Sequence, residues 1–223
     1  VIRALGLTAA DVRVRVSDRR LLAVLLEETG IGTARQDLAF DALDKLGRSE
    51  YPPRRKALAA AGAADAAIAA LESLPEIRTW ADLEERFPSA AQAGAPLRES
   101  LASLDAMGLG DFVDLDLTVV RGLAYYTGTV FELFDAQRVL RAICGGGRYD
   151  TLLQQVGGVD LPALGFGMGD VVLGELLKER GLAPGAPTGA QVFLVSVAPE
   201  DRPAVLRLAH DLRSAGLRVE YSL

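Results

Sequence analysis

The sequence predicts an α+β protein: an antiparallel sheet flanked by helices, carrying a helical insertion and followed by the start of an α/β domain. Three observations predict it. Apolar, β-rich runs recur near residue 14 and between residues 112 and 168, and two of them, 130–134 and 139–143, are joined by a polar turn, as in an antiparallel hairpin. Between residues 48 and 108 the texture becomes alanine-rich and proline-punctuated, the mark of short helices. Beyond a Pro- and Gly-rich stretch at 183–189, strand, helix and strand patterns follow one another as in a β-α-β unit.

Residues 1–5 read as the last turn of a helix stopped by Gly6. Val12, Val14 and Val16 alternate with Arg13, Arg15 and Ser17, which predicts a half-buried strand whose arginines share one face, either solvated or lining a substrate. Asp18 is placed to cap a helix over 19–28, ended by Gly30 and Gly32. A second helix covers 34–46, with Leu38, Ala42, Leu43 and Leu46 on one face. Pro52, Pro53, Pro75, Pro88 and Pro96 then divide the alanine-rich region into helical pieces. Strand texture returns over 112–120. Residues 149–156 read as a short helix, 163–168 as a strand and 170–180 as an amphipathic helix ended by Gly181 and Pro184. The last unit sets strands at 191–197 and 217–221 around a helix at 201–215.

Half of the 223 residues are hydrophobic, enough for a sizeable core, and the net charge is −6. No Lys/Arg run marks a nucleic-acid face, so an RNA role requires local basic patches, and no DNA partner is expected. Cys144 is the single cysteine, which excludes an internal disulfide and fits a reducing cytoplasm. Neither a membrane span nor a signal peptide is written in the sequence. The chain begins inside a helix end and stops just after a strand, so a fragment is expected. His210, the single histidine, falls in the last unit, which leaves no histidine base near the glycine-rich motifs and assigns no metal ligands.

Three motifs between residues 115 and 170 carry the chemistry. They are Arg121-Gly-Leu-Ala-Tyr-Tyr-Thr-Gly128, Cys144-Gly-Gly-Gly-Arg-Tyr-Asp150 and Gly165-Phe-Gly-Met-Gly-Asp170. Each sets glycines beside an Arg, a Tyr or an Asp. Glycine lets a ligand approach the backbone, Arg offers a planar fork to an anion, and Tyr offers a ring with a polar tip. Arg121 follows an apolar run, so part of its stem is buried and its guanidinium needs an anion: Glu132, Asp114, Asp116 or a ligand. Gly145, Gly146 and Gly147 read as a bend or bulge beside a ligand. Arg148 has Asp150 within reach, and Cys144 is most simply a small buried hydrophobe.

The runs RGLAYYTGTVFE and GGGRYD resemble the two histidine-site motifs of histidyl-tRNA synthetases, which are class II aminoacyl-tRNA synthetases. The first is long and specific; the second alone would be weak. The resemblance covers nearly the whole chain. It implies the second half of a class II core over 1–47 and 109–182, an insertion over 48–108, a linker at 183–189 and the start of an anticodon-binding-like domain over 190–223. It implies activation of histidine with ATP and transfer to tRNA(His) by a cytoplasmic homodimer, with ATP as substrate and Mg²⁺ accompanying it. Arg121 takes the catalytic role, on the substrate carboxylate and the α-phosphate. Tyr125, Tyr126, Gly145, Gly146, Tyr149, Gly165 and Gly167 are assigned to the substrate, and Gly167, Gly169 and Asp170 to the nucleotide. Arg54, Arg55 and Lys56 are candidates for contact with the tRNA acceptor stem, or a solvated cluster.

Two positions depart from the family pattern. Ala124 stands where the commonest form has Asp, and Val172 stands where an Arg contacts the γ-phosphate. The dimer-forming motif and the ATP-binding strand pair are expected upstream of Val1, so the fragment alone is expected to be inactive. The alternative is a non-catalytic histidine-binding paralogue resembling the regulatory subunit of ATP phosphoribosyltransferase. Val172 favours it; the β-α-β unit after residue 190 favours the enzyme. A generic α/β binding module leaves the joint spacing of the motifs unexplained.

Overall fold

A computed structural model describes residues 1–44, 54–121, 125–137, 139–183 and 189–222. Leu46, Ala124, the side chain of Arg54 and most of the 183–189 linker lie outside the described residues. Two compact units result, Val1–Leu182 and Ala183–Leu223.

The first unit opens with a 3₁₀ turn, Arg3–Leu5, that Gly6 ends with a left-handed φ of 82°. Strand β1 (Val12–Asp18) runs directly into helix α1 (Arg19–Glu28). The change of period is fixed at Asp18, whose carboxylate accepts the backbone N–H of Arg20 at 2.9 Å and so satisfies one open donor of the first turn. Leu21, Leu22, Leu25 and Leu26 of α1 are fully buried, each side chain worth about 1.5–3 kcal/mol of burial. Helix α2 (Gln36–Asp44) buries Ala39, Phe40, Ala42 and Leu43, whereas Leu38, expected on that face, is exposed. The buried stripe is set by Phe40, the largest apolar residue of the helix.

Five short helices follow: α3 (Arg54–Ala60), α4 (Asp65–Glu72), α5 (Trp80–Arg86), α6 (Pro88–Ala93) and α7 (Ala95–Ala106). They share one apolar cluster with α1 and the sheet; Leu58, Ile68, Leu71, Leu83 and Leu97 join Leu21, Leu25 and Val16 in it. A Cβ at Gly94 would lie 2.6 Å from Leu21, so these helices and α1 meet closely.

The strands β2 (Val113–Leu115), β3 (Thr129–Asp135), β4 (Cys144–Tyr149) and β5 (Ala163–Met168) join β1 in a sheet of order β2-β1-β3-β4-β5. The β1–β2 pair is parallel; the other pairs are antiparallel. Alternation gives the sheet two unlike faces. Val14, Val16, Leu115 and Phe131 pack into the cluster. In register on the other face stand Arg15, Asp114, Glu132, Gly145 and Gly167.

Three expectations are corrected. The partner of β3 is not 139–143 but β4, the glycine run itself. Residues 139–143 are loop, held where Asp135 accepts the N–H groups of Val139 and Leu140. The glycines are therefore not a bend: Gly145, Gly146 and Gly147 pair on both sides, with β3 and with β5. The strand texture over 112–120 shrinks to three residues, because Asp116 turns the chain by accepting from the N–H and hydroxyl of Thr118.

Helices α8 (Leu152–Gly157) and α9 (Asp170–Glu179) flank β5 in sequence. The second unit is a β-α-β unit: β6 (Val192–Val195), α10 (Arg202–Ser214) and β7 (Val219–Ser222), with β6 and β7 parallel and Val205, Ala209 and Val219 buried. No helix of the described residues is long and apolar enough to cross a membrane.

Candidate active site

Four glycines make a bare floor. Register sets Gly145 opposite Gly167 and Gly147 opposite Gly165, on the face that also carries Glu132. A Cβ at Gly145 would lie 2.8 Å from Cζ of Arg121; one at Gly147, 2.8 Å from the Tyr126 ring; one at Gly165, 2.9 Å from the Tyr149 hydroxyl. Glycine is needed because side chains from other elements lie against the strands. Gly146 points to the opposite face, where a Cβ would lie 2.8 Å from Cα of Phe166. Over the floor is a pocket of about 550 Å³, lined by Arg121, Tyr125, Tyr126, Tyr149, Gly145, Gly165, Gly167 and Gly169, with Ile143, Cys144, Leu152 and Phe166.

Arg121 is the one non-glycine among the described residues with a positive φ, 56°. This left-handed backbone is costly for a residue with a long side chain. Two neighbours hold it. The buried Arg19 donates to the carbonyls of Val120 and Arg121, each at 3.4 Å, and lies 3.7 Å from the centre of the Phe40 ring. Nη1 of Arg121 donates to Oε1 of Glu132 at 2.7 Å. Nε of Arg121 is buried without a partner among the described residues. Burial pulls the Arg121 pKa down, but the hydrogen bond and charge of Glu132, with Tyr126, outweigh it and the net shift is upward. Of its three possible protein partners, Asp114 instead takes Arg13, and Asp116 takes Arg15. The arginines of β1 share the pocket's face of the sheet but do not line the pocket.

Three tyrosines form a wall. The Tyr125 and Tyr126 rings lie 4.6 Å apart, and Tyr149 meets Tyr125 edge-on at 5.7 Å. Tyr126 is buried against Val119 and Val130; Tyr125 is partly open. The Tyr126 hydroxyl, then burial, raises the Tyr125 pKa. Burial likewise raises that of the Cys144 thiol, against the pull of the Arg121 charge.

The remaining motif residues hold the loop between Arg121 and β3. Thr127 donates from its hydroxyl to Asp150 at 2.7 Å and receives the Asp150 N–H at 2.8 Å. Thr129 donates to Asp18 at 3.1 Å, and the Arg19 N–H reaches the Gly128 carbonyl at 3.0 Å. Arg148 pairs with Asp150 at 2.7 Å. Asp170 is the first residue of α9, after the N-cap Gly169, and it does not line the pocket. Arg55 pairs with Glu72 at 3.6 Å, and Lys56 is exposed. Sequence reasoning overlooked Thr127, Asp18 and Arg19 as parts of this site. The ordinary N-cap signal at Asp18 concealed its second bond, to Thr129. Among the described residues no group of three or more His, Cys, Asp or Glu is placed to hold a metal.

The family model described as Histidyl-tRNA synthetase matches residues 1–170. The chain belongs to the histidyl-tRNA synthetase family. A histidine–tRNA ligase of Opitutus terrae is 42% identical over 233 residues, covering 100% of this chain and 52% of the relative. The chain thus spans about half the length of the curated relatives it matches. The crystal structure of histidyl-tRNA synthetase from Nostoc sp. PCC 7120 superposes with a TM-score of 0.71 at 24% identity, over 100% of this chain and 54% of that one. A Bacillus halodurans C structure titled as an ATP phosphoribosyltransferase regulatory subunit/histidyl-tRNA synthetase gives 0.62 at 24% identity, over 99% and 56%. Both structures share the fold of this chain.

Proposed function

We propose that this chain holds histidine and the α-phosphate of ATP in a protein that activates histidine and transfers it to tRNA(His). The observation that carries the reading is Arg121: a guanidinium laid on bare strand backbone, at the edge of a tyrosine-walled pocket, in a chain of this family. In the first step a histidine carboxylate oxygen attacks the α-phosphorus, a P–O bond forms, and the bond to pyrophosphate breaks. Charge builds on the phosphoryl oxygens, and a guanidinium fixed beforehand stabilises it without reorganising. Tyr125 or Tyr126 offers a hydroxyl to an imidazole nitrogen, which disfavours side chains that lack one.

Mg²⁺ accompanies ATP and screens the charge of its phosphates; no described carboxylate cluster here fits it. Val172 offers no donor, so the γ-phosphate needs a cation from elsewhere in the intact protein. The family resemblance supports the homodimer and the cytoplasmic location, and the net charge of −6 speaks against DNA. Val172 favours a second reading, a histidine-binding protein without ligase activity. The test is ATP–pyrophosphate exchange by the intact protein across a Mg²⁺ series. Exchange that requires both histidine and Mg²⁺, and that leucine or phenylalanine does not support, is the expected result. Tight histidine binding without exchange would transfer the proposal to the second reading.

A further inference from the structure

We infer that Glu132 is a positioning residue: it pins the Arg121 guanidinium flat on Gly145 and acts on the reaction only through Arg121. The inference rests on the activity proposed above. Glu132 projects from the middle of β3, directly opposite Gly145 in register. Its carboxylate holds Nη1 of Arg121 at 2.7 Å, and the two side chains are only 24% and 23% exposed. A pair this far removed from water keeps its geometry better than a surface pair, whose strength solvent screens. It is also one-sided, since Glu132 engages one terminal nitrogen of the guanidinium.

The backbone explains why such a pin is needed. At φ 56° the Arg121 side chain leaves the chain in a direction that ordinary strand or helix geometry does not set. Arg19 donates to the carbonyls on either side of Cα and so fixes the backbone there. Gly145 supplies the bare backbone on which the group lies, and the Tyr126 ring borders it with its centre 6.0 Å from Cζ. Glu132 fixes the far end. Displacing a reacting group by about 1 Å costs on the order of 10²-fold in rate, so loss of this pin is a kinetic defect before it is a folding one.

The experiment is a double-mutant cycle in the intact protein: Glu132→Gln, Arg121→Ala and the two combined, each followed by pyrophosphate exchange and histidine calorimetry. Gln keeps the size and one acceptor, so the fold is preserved. Glu132→Gln is expected to lower exchange kcat by about 10²-fold with histidine KM changed less than about 3-fold. On the Arg121→Ala background the same change is expected to cost nothing further. Equal losses on both backgrounds would overturn the inference. A second readout needs no activity: the ¹⁵N signal of the buried Arg121 Nε, identified by its loss in Arg121→Ala. In Glu132→Gln it is expected to exchange faster with water; an unchanged signal counts against the pin. If the wild-type protein shows no exchange, the activity reading fails and this signal alone decides the role of Glu132.

Discussion

At position 145 glycine is required by a neighbour and not by the backbone. Its strand geometry is ordinary, and what excludes a side chain is the Arg121 guanidinium lying on it. The guanidinium lying there makes the outcome of Gly145→Ala unequal. Stability changes little, because a flexible side-chain end gives way more easily than backbone. Activity changes much, because that end is the group proposed to bind the α-phosphate. Exchange is expected to fall by about 10²-fold, approaching Arg121→Ala, for which loss of one preorganised donor removes about 10²–10³-fold. Parallel exchange assays and thermal melts of the two variants check this. Normal exchange in Gly145→Ala would show that the position of Arg121 on the floor is not the working one.

Among the elements, β1 and α1 are joined at one residue that also reaches the motif loop. Asp18 is fully buried, caps α1, accepts from Thr129 and holds the Arg20 guanidinium, with Nη2 at 2.6 Å. Asp18→Ala removes a cap worth about 1 kcal/mol and the acceptor of the part-buried Thr129 hydroxyl, while the Arg20 guanidinium turns to water, for a total of about 2–3 kcal/mol. Asp18→Asn is expected to recover the cap alone. Urea unfolding of the two variants separates these contributions. The same junction shows what a sequence discloses. Alternating valines, a capping Asp and a helical leucine stripe are local signals, so β1 and α1 were legible, with Asp18 the last residue of the strand as well as the cap. Strand β4 was not, because a glycine run says nothing of pairing and its cause lies in Arg121, Tyr126 and Phe166, all distant in sequence or on another strand. The apolar run 139–143 looked like a strand, but Asp135 turns it into loop. At the site, Arg121 and the tyrosines were legible from their motif. Glu132 was one of three possible partners, and only the ion pairs of Arg13 with Asp114 and of Arg15 with Asp116 single it out.

On the scale of the molecule, the sheet separates a buried apolar face from a charged one, and carboxylates on that face and just beyond the strand ends make stability depend on acid. The hydrogen bond from Arg13 holds the Asp114 carboxyl below its usual range; the Thr127 hydroxyl, and then Arg148, do the same for Asp150; Thr8, and then Arg180, do so for Asp11. Each folded-state pKa lies below the unfolded value of about 3.9. The corresponding stability is therefore fully present above about pH 4 and is lost as the pH falls through the folded values. Urea midpoints measured from pH 6 down to pH 2 are expected to hold steady and then drop below about pH 4. Asp114→Asn is expected to start lower at neutral pH and to fall less steeply. A variant curve parallel to that of the wild type would show that the Arg13–Asp114 pair has no part in the acid limb.

Of the four floor glycines, one differs from the rest. Positions 145, 147 and 165 each lie against a protein side chain, whereas a Cβ at Gly167 would meet nothing within 4 Å and would point into the pocket. Random mutagenesis of the first three can only report damage to the wall. At 167, successively larger residues act as a steric gauge: the size at which a given amino acid ceases to bind measures the clearance above β5 with the machinery left in place.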